Sequence, residues 1–404
     1  MKIKLGVVFG GKSVEHEISI ISALQAIQSL DKEKYDITPI YVTKNNEFYV
    51  GARIGDIEAY RSNIGTLLKE SQRVLLVNDG KNVKLLRYPA KAFGKAIVGE
   101  IDVALPVVHG TNVEDGTLQG FFKMLNLPYV GCDVLSSALG MDKYAMKAVL
   151  KDNGIPVLDC RTFTAAQYDA DNDKVIAAVE GAFGYPVIVK PVNLGSSIGI
   201  SKADDRDKLI AALDTAFCYA QKVLVEPAVQ NLKEINCAVL GDCDEAMASE
   251  CEEPVNADEI LSFEDKYIGN GKGGAKKTGG SKGMATLSRK IPAEITQEQK
   301  QTIQAYAVKA FQALGCNGVS RIDFMMDKGT GKIWLNEINT IPGSLSFYLW
   351  EPIGVSYPEL LDRMISLALK RERESENITY AFDSNVLQGV SLGGGSKGAK
   401  GSKA

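Results

Sequence analysis

Histidine is scarce in this sequence: only His16 and His109 occur among 404 residues, so a catalytic histidine would have to be one of these two. There is no run of about 18 apolar residues, so no membrane-spanning helix is expected. The seven cysteines are scattered and odd in number, which favours free thiols in a reducing cytosol over a disulfide framework. A net charge of only −4 argues against nucleic acid as the main partner. We therefore expect a cytoplasmic protein that binds neither membrane nor nucleic acid.

Apolar residues make up 45% of the chain, which in 404 residues is enough for two or three domains with more than one core. Residues 3–9 have the apolar character of a buried strand and lead into Gly10 and Gly11, after which a helix is predicted to begin near Ser13. A strand, a glycine turn and a helix N-terminus together cradle anions in α/β proteins. A second strand is predicted over residues 35–42.

A further buried strand is predicted over residues 101–108, and its carboxyl end delivers His109. Ligands collect at the carboxyl ends of parallel strands, which places His109 near a site, although a structural histidine is an equally good interpretation. The acidic turn at Glu114 is predicted to start a helix that runs through Leu125. Residues 50–100 show no clear periodicity, and no elements are assigned to them.

An apolar hairpin towards the end of the chain carries the strongest candidate site. Strands are predicted over residues 320–326 and 333–339, joined by a turn with two glycines. Because side chains alternate along a strand, Glu337 and Asn339 share a face, and a tight turn would place Asp323 opposite Glu337. Two carboxylates and an amide oxygen form an all-oxygen site that suits Mg²⁺ or Mn²⁺ beside nucleotide phosphates. The alternative is a solvated hairpin face, but unpaired charges in such apolar strands are costly.

Lys190 lies within an apolar strand predicted over residues 185–191, and a cation there needs an anionic partner. A nucleotide phosphate would serve, and so would a buried ion pair with an acid. The stretch 269–283 is rich in glycine and lysine and has no apolar anchor, so it is either a disordered insertion or a lid that orders on binding. Helices are predicted over residues 295–314 and 357–373.

Five motifs resemble, in the same order along the chain, those of the D-alanine–D-alanine ligases, a family of the ATP-grasp superfamily. They lie at residues 10–19, 115–120, 195–199, 321–323 and 336–343. Each motif alone is a weak signal, but the ordered set is specific. The resemblance extends over about residues 3–370.

The resemblance implies an α/β fold, with α+β architecture in the part that grasps ATP. A Rossmann-like N-terminal domain over residues 1–137 would precede a two-part ATP-grasp fold. That fold would consist of a central subdomain over residues 138–232 and a catalytic C-terminal domain over residues 233–380, with ATP between two antiparallel sheets. Residues 381–404 would form a disordered, low-complexity tail. The family also suggests a homodimer.

The same resemblance implies ATP-dependent ligation of two D-alanines through an acyl phosphate, for synthesis of a peptidoglycan precursor. The residues implied to hold ATP are Lys143, Lys190, Glu226, Pro227, Ala228, Val229, Glu234 and Lys266. The residues implied to bind two Mg²⁺ or Mn²⁺ ions are Asp323, Glu337 and Asn339. The residues implied to surround the first D-alanine are the hydrogen-bonded trio Glu15, Ser196 and Tyr267, together with His109. The groups implied to stabilise the oxyanion are Arg321 and the amide of Gly343.

The sequence departs from the family after Gly343, where a run rich in serine and threonine normally holds the carboxylate of the second substrate. By its spacing from Gly343, Tyr348 occupies a position normally filled by serine, although Ser344 and Ser346 remain available for the carboxylate. The added bulk should exclude large second substrates. In the alternative interpretation, Tyr348 and its aromatic neighbours merely pack under the helix that begins near Tyr357.

D-alanine is the expected second substrate, and D-serine or another D-amino acid is the alternative. Two alternatives belong to other classes of protein. A biotin-dependent carboxylase shares the ATP-binding part but should lack the residues that surround the first D-alanine. A non-catalytic nucleotide-binding module is disfavoured by the intact polar set of the hairpin.

Overall fold

The computed structural model describes residues 2–91, 94–195, 198–254, 289–381 and 385. Its strands form three sheets that follow one another along the chain. Several predictions fall outside the described residues: those for the stretch 269–283, for Lys266, Tyr267 and Ser196, and for most of the tail 381–404. In the described part of the chain, no helix is both long enough and apolar enough to cross a membrane.

The first sheet is formed by residues between 3 and 107. Its strands are β1 (Ile3–Gly10), β2 (Tyr35–Val42), β3 (Phe48–Val50), β4 (Gln72–Asn78), β5 (Val83–Arg87), β6 (Ile97–Ile101) and β7 (Val103–Val107). Their order in the sheet is β6-β5-β4-β3-β2-β1-β7. Strand β1 pairs in parallel with β2 and β7, and the remaining pairs are antiparallel.

The strands predicted over residues 3–9 and 35–42 are confirmed, and that predicted over 101–108 is confirmed as the shorter β7. These three strands are largely apolar, and most of the residues of β1 and all of those of β7 are buried, as expected for parallel strands that are covered on both faces. The predicted helices also form, the first at His16–Ser29 and the second at Thr117–Met124.

Residues 50–100, which show no periodicity, contain two short helices and the antiparallel strands β4, β5 and β6. Strand β4 shows why these strands were not assigned from sequence. It has four apolar residues in a row, of which Val74 and Leu76 are buried while Leu75 and Val77 are exposed. Apolar residues on both faces hide the alternation by which a half-buried strand is identified.

The second and third sheets are antiparallel throughout, as the resemblance implied. The second sheet has the order β10-β9-β11-β8 and the third the order β14-β13-β12-β15-β16. The strands of the second sheet are β8 (Arg161–Thr164), β9 (Val187–Pro191), β10 (Ser201–Ala203) and β11 (Lys222–Pro227). The strands of the third sheet are β12 (Leu232–Gly241), β13 (Ala246–Pro254), β14 (Arg289–Lys290), β15 (Gly318–Asp327) and β16 (Ile333–Asn339).

Helices pack on these sheets. They are α1 (His16–Ser29), α2 (Ile57–Ser62), α3 (Ile64–Glu70), α4 (Thr117–Met124), α5 (Val134–Met141), α6 (Lys143–Asp152), α7 (Ala165–Ala170), α8 (Asn172–Phe183), α9 (Arg206–Phe217), α10 (Gln297–Ala313) and α11 (Tyr357–Ser375). Short 3₁₀ helices span Gly343–Leu349 and Glu351–Ile353. The helices predicted over residues 295–314 and 357–373 are thus confirmed as α10 and α11.

Among the described residues, the largest hydrophobic core joins the first sheet to residues between 341 and 368. It combines β1, β2 and β7 with residues of the 3₁₀ region and α11, among them Leu345, Trp350 and Leu361, all of them fully buried. Separate cores lie beneath the second and third sheets. The domain boundaries at residues 137 and 232 stay predictions, but the shared core fixes the segment after Gly343 against the first sheet. That packing creates the junction where the candidate site lies.

Candidate active site

The hairpin of β15 and β16 pairs as predicted, with Asp323 directly opposite Glu337. Asp323 accepts two hydrogen bonds from the Arg321 guanidinium, at 2.7 and 2.8 Å, and a third from the Asn339 amide at 3.1 Å. Arg321 and Asp323 are two residues apart on β15, so their side chains lie on one face of the sheet. Asn339 of β16 shares this face, because its amide contacts Asp323. Arg321, Asp323 and Asn339 are all partly or largely buried, so this polar cluster is held in one geometry.

This cluster has the donor chemistry that a hard divalent cation requires. Like charges directly opposite each other in a sheet repel, and Asp323 and Glu337 form such a pair. Arg321 offsets the charge of Asp323, and the Lys143 ammonium lies 3.6 Å from a Glu337 oxygen. Bound cations would offset the same repulsion, with Asn339 contributing an amide oxygen. The residues present therefore fit the predicted metal ions.

A second charged cluster, which we call the Glu226 cluster, consists of Glu226, Lys190 and Lys147. The Lys190 ammonium lies 2.5 Å from one carboxylate oxygen of Glu226, and the Lys147 ammonium lies 2.7 Å from the other. Lys190 also donates to the Asn336 side chain at 3.0 Å, next to Glu337. Burial would raise the pKa of Glu226, but the two lysines outweigh it and lower the pKa to about 2. Of the two partners considered for Lys190, the structure contains the buried ion pair.

Lys143 is the first residue of α6, and its side chain extends to Glu337 of the hairpin. Its ammonium donates to the carbonyl of Leu194 at 2.7 Å. Burial lowers the pKa of Lys143, against the opposing effect of Glu337. The Asp142 side chain accepts hydrogen bonds from two backbone amides of the first turn, so the helix begins in a fixed position. Lys143 is therefore a pre-positioned cation between the loop before Ser196 and the hairpin.

The segment from Glu226 to Val229, which the resemblance implies to hold ATP, connects the second sheet to the third. Glu226 and Pro227 end β11, and the amide of Ala228 donates to the carbonyl of Pro186 at 3.0 Å. Val229 follows in the turn before β12, where Glu234 pairs with Met325 of β15. These positions lie in and beside the connection between the two sheets, next to the Glu226 cluster.

Glu15 is buried just before α1, close to two glycine-containing loops. A β-carbon added to Gly110 would lie 2.7 Å from a Glu15 carboxylate oxygen, and one added to Gly195 would lie 3.3 Å from it. Glu15 is thus beside the residue that precedes Ser196. The other members of the predicted trio, Ser196 and Tyr267, lie outside the described residues, and so does Lys266.

His109 links the first sheet to the segment after the hairpin. Its Nδ1 donates to the Ile341 carbonyl at 2.8 Å, and its Nε2 accepts from the Ser22 hydroxyl at 3.0 Å. Burial lowers the pKa of His109 to about 4, with a smaller contribution from Arg321, so the ring is neutral at neutral pH. The structure places His109 near Arg321 and gives the ring a structural part, and its contact with a substrate stays a prediction.

Glu114 is a residue of this junction that the sequence analysis interpreted only as part of a turn. Its carboxyl group accepts hydrogen bonds from the amides of Gly110 and Ile341, both at 2.9 Å, and from the Thr340 hydroxyl at 3.2 Å, and burial raises its pKa to about 8. It therefore joins the loop after β7 to the segment after β16, a separation of more than two hundred residues. A buried acid that partners backbone amides has no periodic signal in sequence.

Models of both halves of one protein family match the chain. The N-terminal model, described as D-ala D-ala ligase N-terminus, matches residues 4–132, and the corresponding C-terminus model matches residues 149–366. The chain belongs to the D-alanine–D-alanine ligase family. A D-alanine–D-alanine ligase of Acetivibrio thermocellus is 41% identical over 388 residues, which cover 93% of this chain and 98% of the relative.

Solved structures of the same ligase type share the fold. The VanG D-Ala:D-Ser ligase of Enterococcus faecalis has a TM-score of 0.73 at 33% identity, covering 91% of this chain and all of that one. The D-alanine–D-alanine ligase of Bacillus anthracis, solved in complex with ATP, has a TM-score of 0.62 at 25% identity, covering 92% and 99%. The similarity thus extends across all three sheets.

The two serines expected to hold the second substrate's carboxylate in this ligase family member are both buried. Ser344 donates from its hydroxyl to Gln25 at 2.7 Å, and its amide donates to Ser22 at 2.9 Å. The Ser346 hydroxyl is buried without a hydrogen-bond partner in the described structure. From Ser344 to Ser346 the backbone has φ near +50°, a left-handed turn that costs L-residues energy and persists only because the surroundings fix it. In this conformation both serine side chains are buried from solvent, and their contact with a substrate stays a prediction.

The aromatic residues of the departure from the family have two different environments. Phe347 stacks on Tyr357 with ring centroids 4.6 Å apart, and Trp350 is fully buried, as the packing interpretation proposed. Tyr348 is different: its hydroxyl donates to Glu252 at 3.3 Å, and the Arg289 guanidinium lies over its ring at 3.9 Å. Arg289 also pairs with Glu252 at 3.1 Å. The ion pair of Arg289 and Glu252 therefore holds the Tyr348 side chain in place.

The buried position of His109 predicts an effect of pH on stability. Its pKa of about 4 in the folded protein is below the ordinary value of 6.5, so the stability that its neutral form contributes is present above pH 6.5 and is lost as pH falls towards 4. We expect the free-energy difference of unfolding between wild type and His109→Gln to shift against wild type by about 2 kcal/mol between pH 7.5 and pH 5. Urea unfolding of both proteins at the two pH values measures it. A difference that is independent of pH would contradict the neutral assignment.

Proposed function

We propose that the chain is an ATP-dependent, ADP-forming ligase that joins two D-alanine molecules into D-alanyl-D-alanine for peptidoglycan synthesis. The name carried by relatives about 40% identical over nearly the whole chain supports this function. The observation that carries the proposal is the hairpin, where Arg321, Asp323, Glu337 and Asn339 are present together on one face. A non-catalytic module would not need this costly concentration of buried charge.

ATP is proposed to lie between the second and third sheets. Its triphosphate would be neutralised by Lys143 and Lys190, whose ammonium groups approach the hairpin from α6 and β9. Asp323, Glu337 and Asn339 would hold Mg²⁺ or Mn²⁺ ions, which supply charge neutralisation for phosphoryl transfer when bound. The remaining groups proposed to contact ATP are Glu226, Pro227, Ala228, Val229, Glu234 and Lys266.

The other predicted site residues have separate proposed roles in the reaction. The carboxylate of the first D-alanine attacks the terminal phosphate of ATP, giving an acyl phosphate and ADP. The amine of the second D-alanine then attacks the acyl carbon, and Arg321 with the Gly343 amide stabilises the oxyanion before phosphate leaves. Glu15 would orient the first D-alanine together with Ser196 and Tyr267, and His109 would fix the Ile341 carbonyl beside it.

Replacing Glu337 with Gln tests the hairpin. The change removes one of the paired charges while keeping the shape of the side chain, so we expect phosphate release with D-alanine to fall at least about 100-fold, equal to about 2.7 kcal/mol of barrier. Glu33→Gln, on a fully solvated side chain, is the matched control and should retain wild-type turnover. Circular dichroism checks that both variants fold. Near-normal turnover of Glu337→Gln would remove this residue from the site.

A second candidate function is the ligation of D-alanine to D-serine. Two observations favour considering it: a D-Ala:D-Ser ligase is among the similar structures, and Tyr348 stands where the family has serine. Tyr348 adds bulk near Arg321, and its hydroxyl donates to Glu252. Added bulk disfavours the larger acceptor, so D-alanine remains the proposed second substrate.

The acceptor preference can be measured directly. For wild type we expect a higher catalytic efficiency with D-alanine than with D-serine or D-lactate as second substrate, with products identified by mass. Tyr348→Ser should raise the relative efficiency of bulkier D-amino acids about tenfold or more, because a pocket residue of this size excludes added groups. Tyr348→Phe keeps the ring and is the control that should keep the preference. A wild-type preference for D-serine or D-lactate would replace D-alanine as the proposed acceptor.

We also propose that the protein is a cytoplasmic homodimer. Leu75, Leu86 and Ile97 are directly opposite one another on β4, β5 and β6 and form an apolar row on the outer face of the first sheet. Leu75 and Ile97 are more than 40% exposed, and a second copy of the chain would cover such a row.

Sedimentation velocity tests the dimer. Leu75→Glu should convert a dimer to a monomer, because it places a charge in the apolar row. Leu135→Glu makes the same change at an exposed leucine of α5, outside the row, and should leave the dimer intact. A monomeric wild type, or two variants that sediment alike, would contradict this interface.

A further inference from the structure

Lys147 has no part in the chemistry described above, although it is one of the most buried lysines in the described structure. Its side chain is 5% exposed. Its ammonium is fixed from two sides, at 2.7 Å from Glu226 Oε2 and at 3.1 Å from the Leu158 carbonyl. A buried cation in a fixed geometry is costly to keep unless its charge is used.

The Glu226 cluster contains two cations for one carboxylate. The Glu226 side chain is 1% exposed, and each of its oxygens has its own lysine. Either lysine alone would neutralise the carboxylate formally. The second lysine therefore leaves one positive charge in the cluster, and that charge is available to an anion.

The two lysines differ in what else they contact. Lys190 also donates to the side chain of Asn336, next to Glu337, so it faces the hairpin where the phosphates are proposed to lie. Lys147 instead donates to a backbone carbonyl before β8. On α6, Lys143 is one turn earlier and on the same face, and its ammonium is directed to the hairpin. Lys147 is thus the lysine of the three that remains with Glu226.

We infer that Lys147 is a positioning residue for nucleotide binding: it holds the charge of Glu226 so that Lys190 can bind the phosphates of ATP. Without Lys147, a move of Lys190 towards a phosphate would leave Glu226 buried and unpaired, which is strongly unfavourable. Lys190 would then remain on the carboxylate, and the phosphates would lose a cation. The inference rests on the proposed use of ATP and adds a residue that the resemblance did not supply.

The test separates phosphate binding from the rest of the nucleotide. Calorimetry would give the Kd of the non-hydrolysable analogue AMP-PNP with Mg²⁺, and of adenosine, for wild type and Lys147→Met. We expect AMP-PNP to bind about tenfold more weakly to the variant, which corresponds to 1.4 kcal/mol, and adenosine to change less than about twofold. Lys147→Arg, which keeps the charge, should stay within about threefold of wild type for AMP-PNP, less than half that free energy. Lys151→Met is the matched control on the same helix, because Lys151 pairs with Asp159 in solvent.

A double-mutant cycle with Glu226→Gln distinguishes this role from simple packing. If Lys147 acts through the charge of Glu226, Lys147→Met should change AMP-PNP affinity less than about twofold when Glu226 is already Gln. A packing role would cost the same in both backgrounds. Should Lys147→Met alone fail to fold, the comparison of Glu226→Gln with the double variant decides, because the buried charges of Glu226 and Lys147 are both absent from it.

The outcomes are distinct. An equal loss of AMP-PNP and adenosine affinity, no loss of either, or an undiminished loss in the Glu226→Gln background would each overturn the positioning role while leaving the ligase proposal intact. Failure of wild type to bind AMP-PNP would overturn the proposed function itself, and the inference with it.

Discussion

The structure depends on the neutralisation of buried charge where its sheets meet. Glu226, Asp323 and Glu337 bring three carboxylates into an environment where an unpaired charge is strongly unfavourable. Arg321 binds Asp323 in a bidentate geometry, Lys143 approaches Glu337, and Lys147 and Lys190 share Glu226. Glu226 and Glu337 thus have cations from distant parts of the chain, whereas Asp323 pairs with Arg321 of the same strand. Lys190 also donates to Asn336 of β16, so a hydrogen bond joins the second sheet to the third at this point.

A second constraint joins the first sheet to this charged region through neutral hydrogen bonds. His109 fixes the Ile341 carbonyl, and Glu114 binds the Ile341 amide and the Thr340 hydroxyl. Ser22 then binds the amide of Ser344 and thereby supports the left-handed turn that follows. Sequence-distant loops consequently define the position of Gly343. In the proposed mechanism this arrangement would set where the acyl group lies relative to Arg321.

The departure from the family's usual sequence lies in the same region, and the structure shows which contacts accommodate it. Tyr348 replaces a small hydroxyl residue, and the structure supports the larger ring with Arg289 above it and Glu252 at its hydroxyl. The neighbouring Phe347 and Trp350 are absorbed by packing against α11 and the first core. The proposed effect on the choice of second substrate therefore depends on the Tyr348 side chain.

The sequence by itself determined the elements whose signal is local. Parallel strands such as β1 and β7 are continuous apolar runs, α10 and α11 have helical periodicity, and the β15–β16 hairpin follows from its turn, so the pairing of Asp323 with Glu337 was predictable. The ordered motifs determined the family. Strands β4 to β6 were not predictable, because exposed apolar residues such as Leu75 remove the alternation.

Only the tertiary structure decided which charges meet. The sequence left the partner of Lys190 open, gave no role to Lys147 and treated Glu114 as part of a turn, whereas the fold places each of them against a group from a distant segment. It also shows that Ser344 is hydrogen-bonded to Gln25 and that the Ser346 hydroxyl is buried, while their role towards a substrate stays a prediction. The physical reason is the same in each case. Periodicity reports which face of an element is buried, but the identity of the group on the other side of that face depends on long-range packing, which no local pattern encodes.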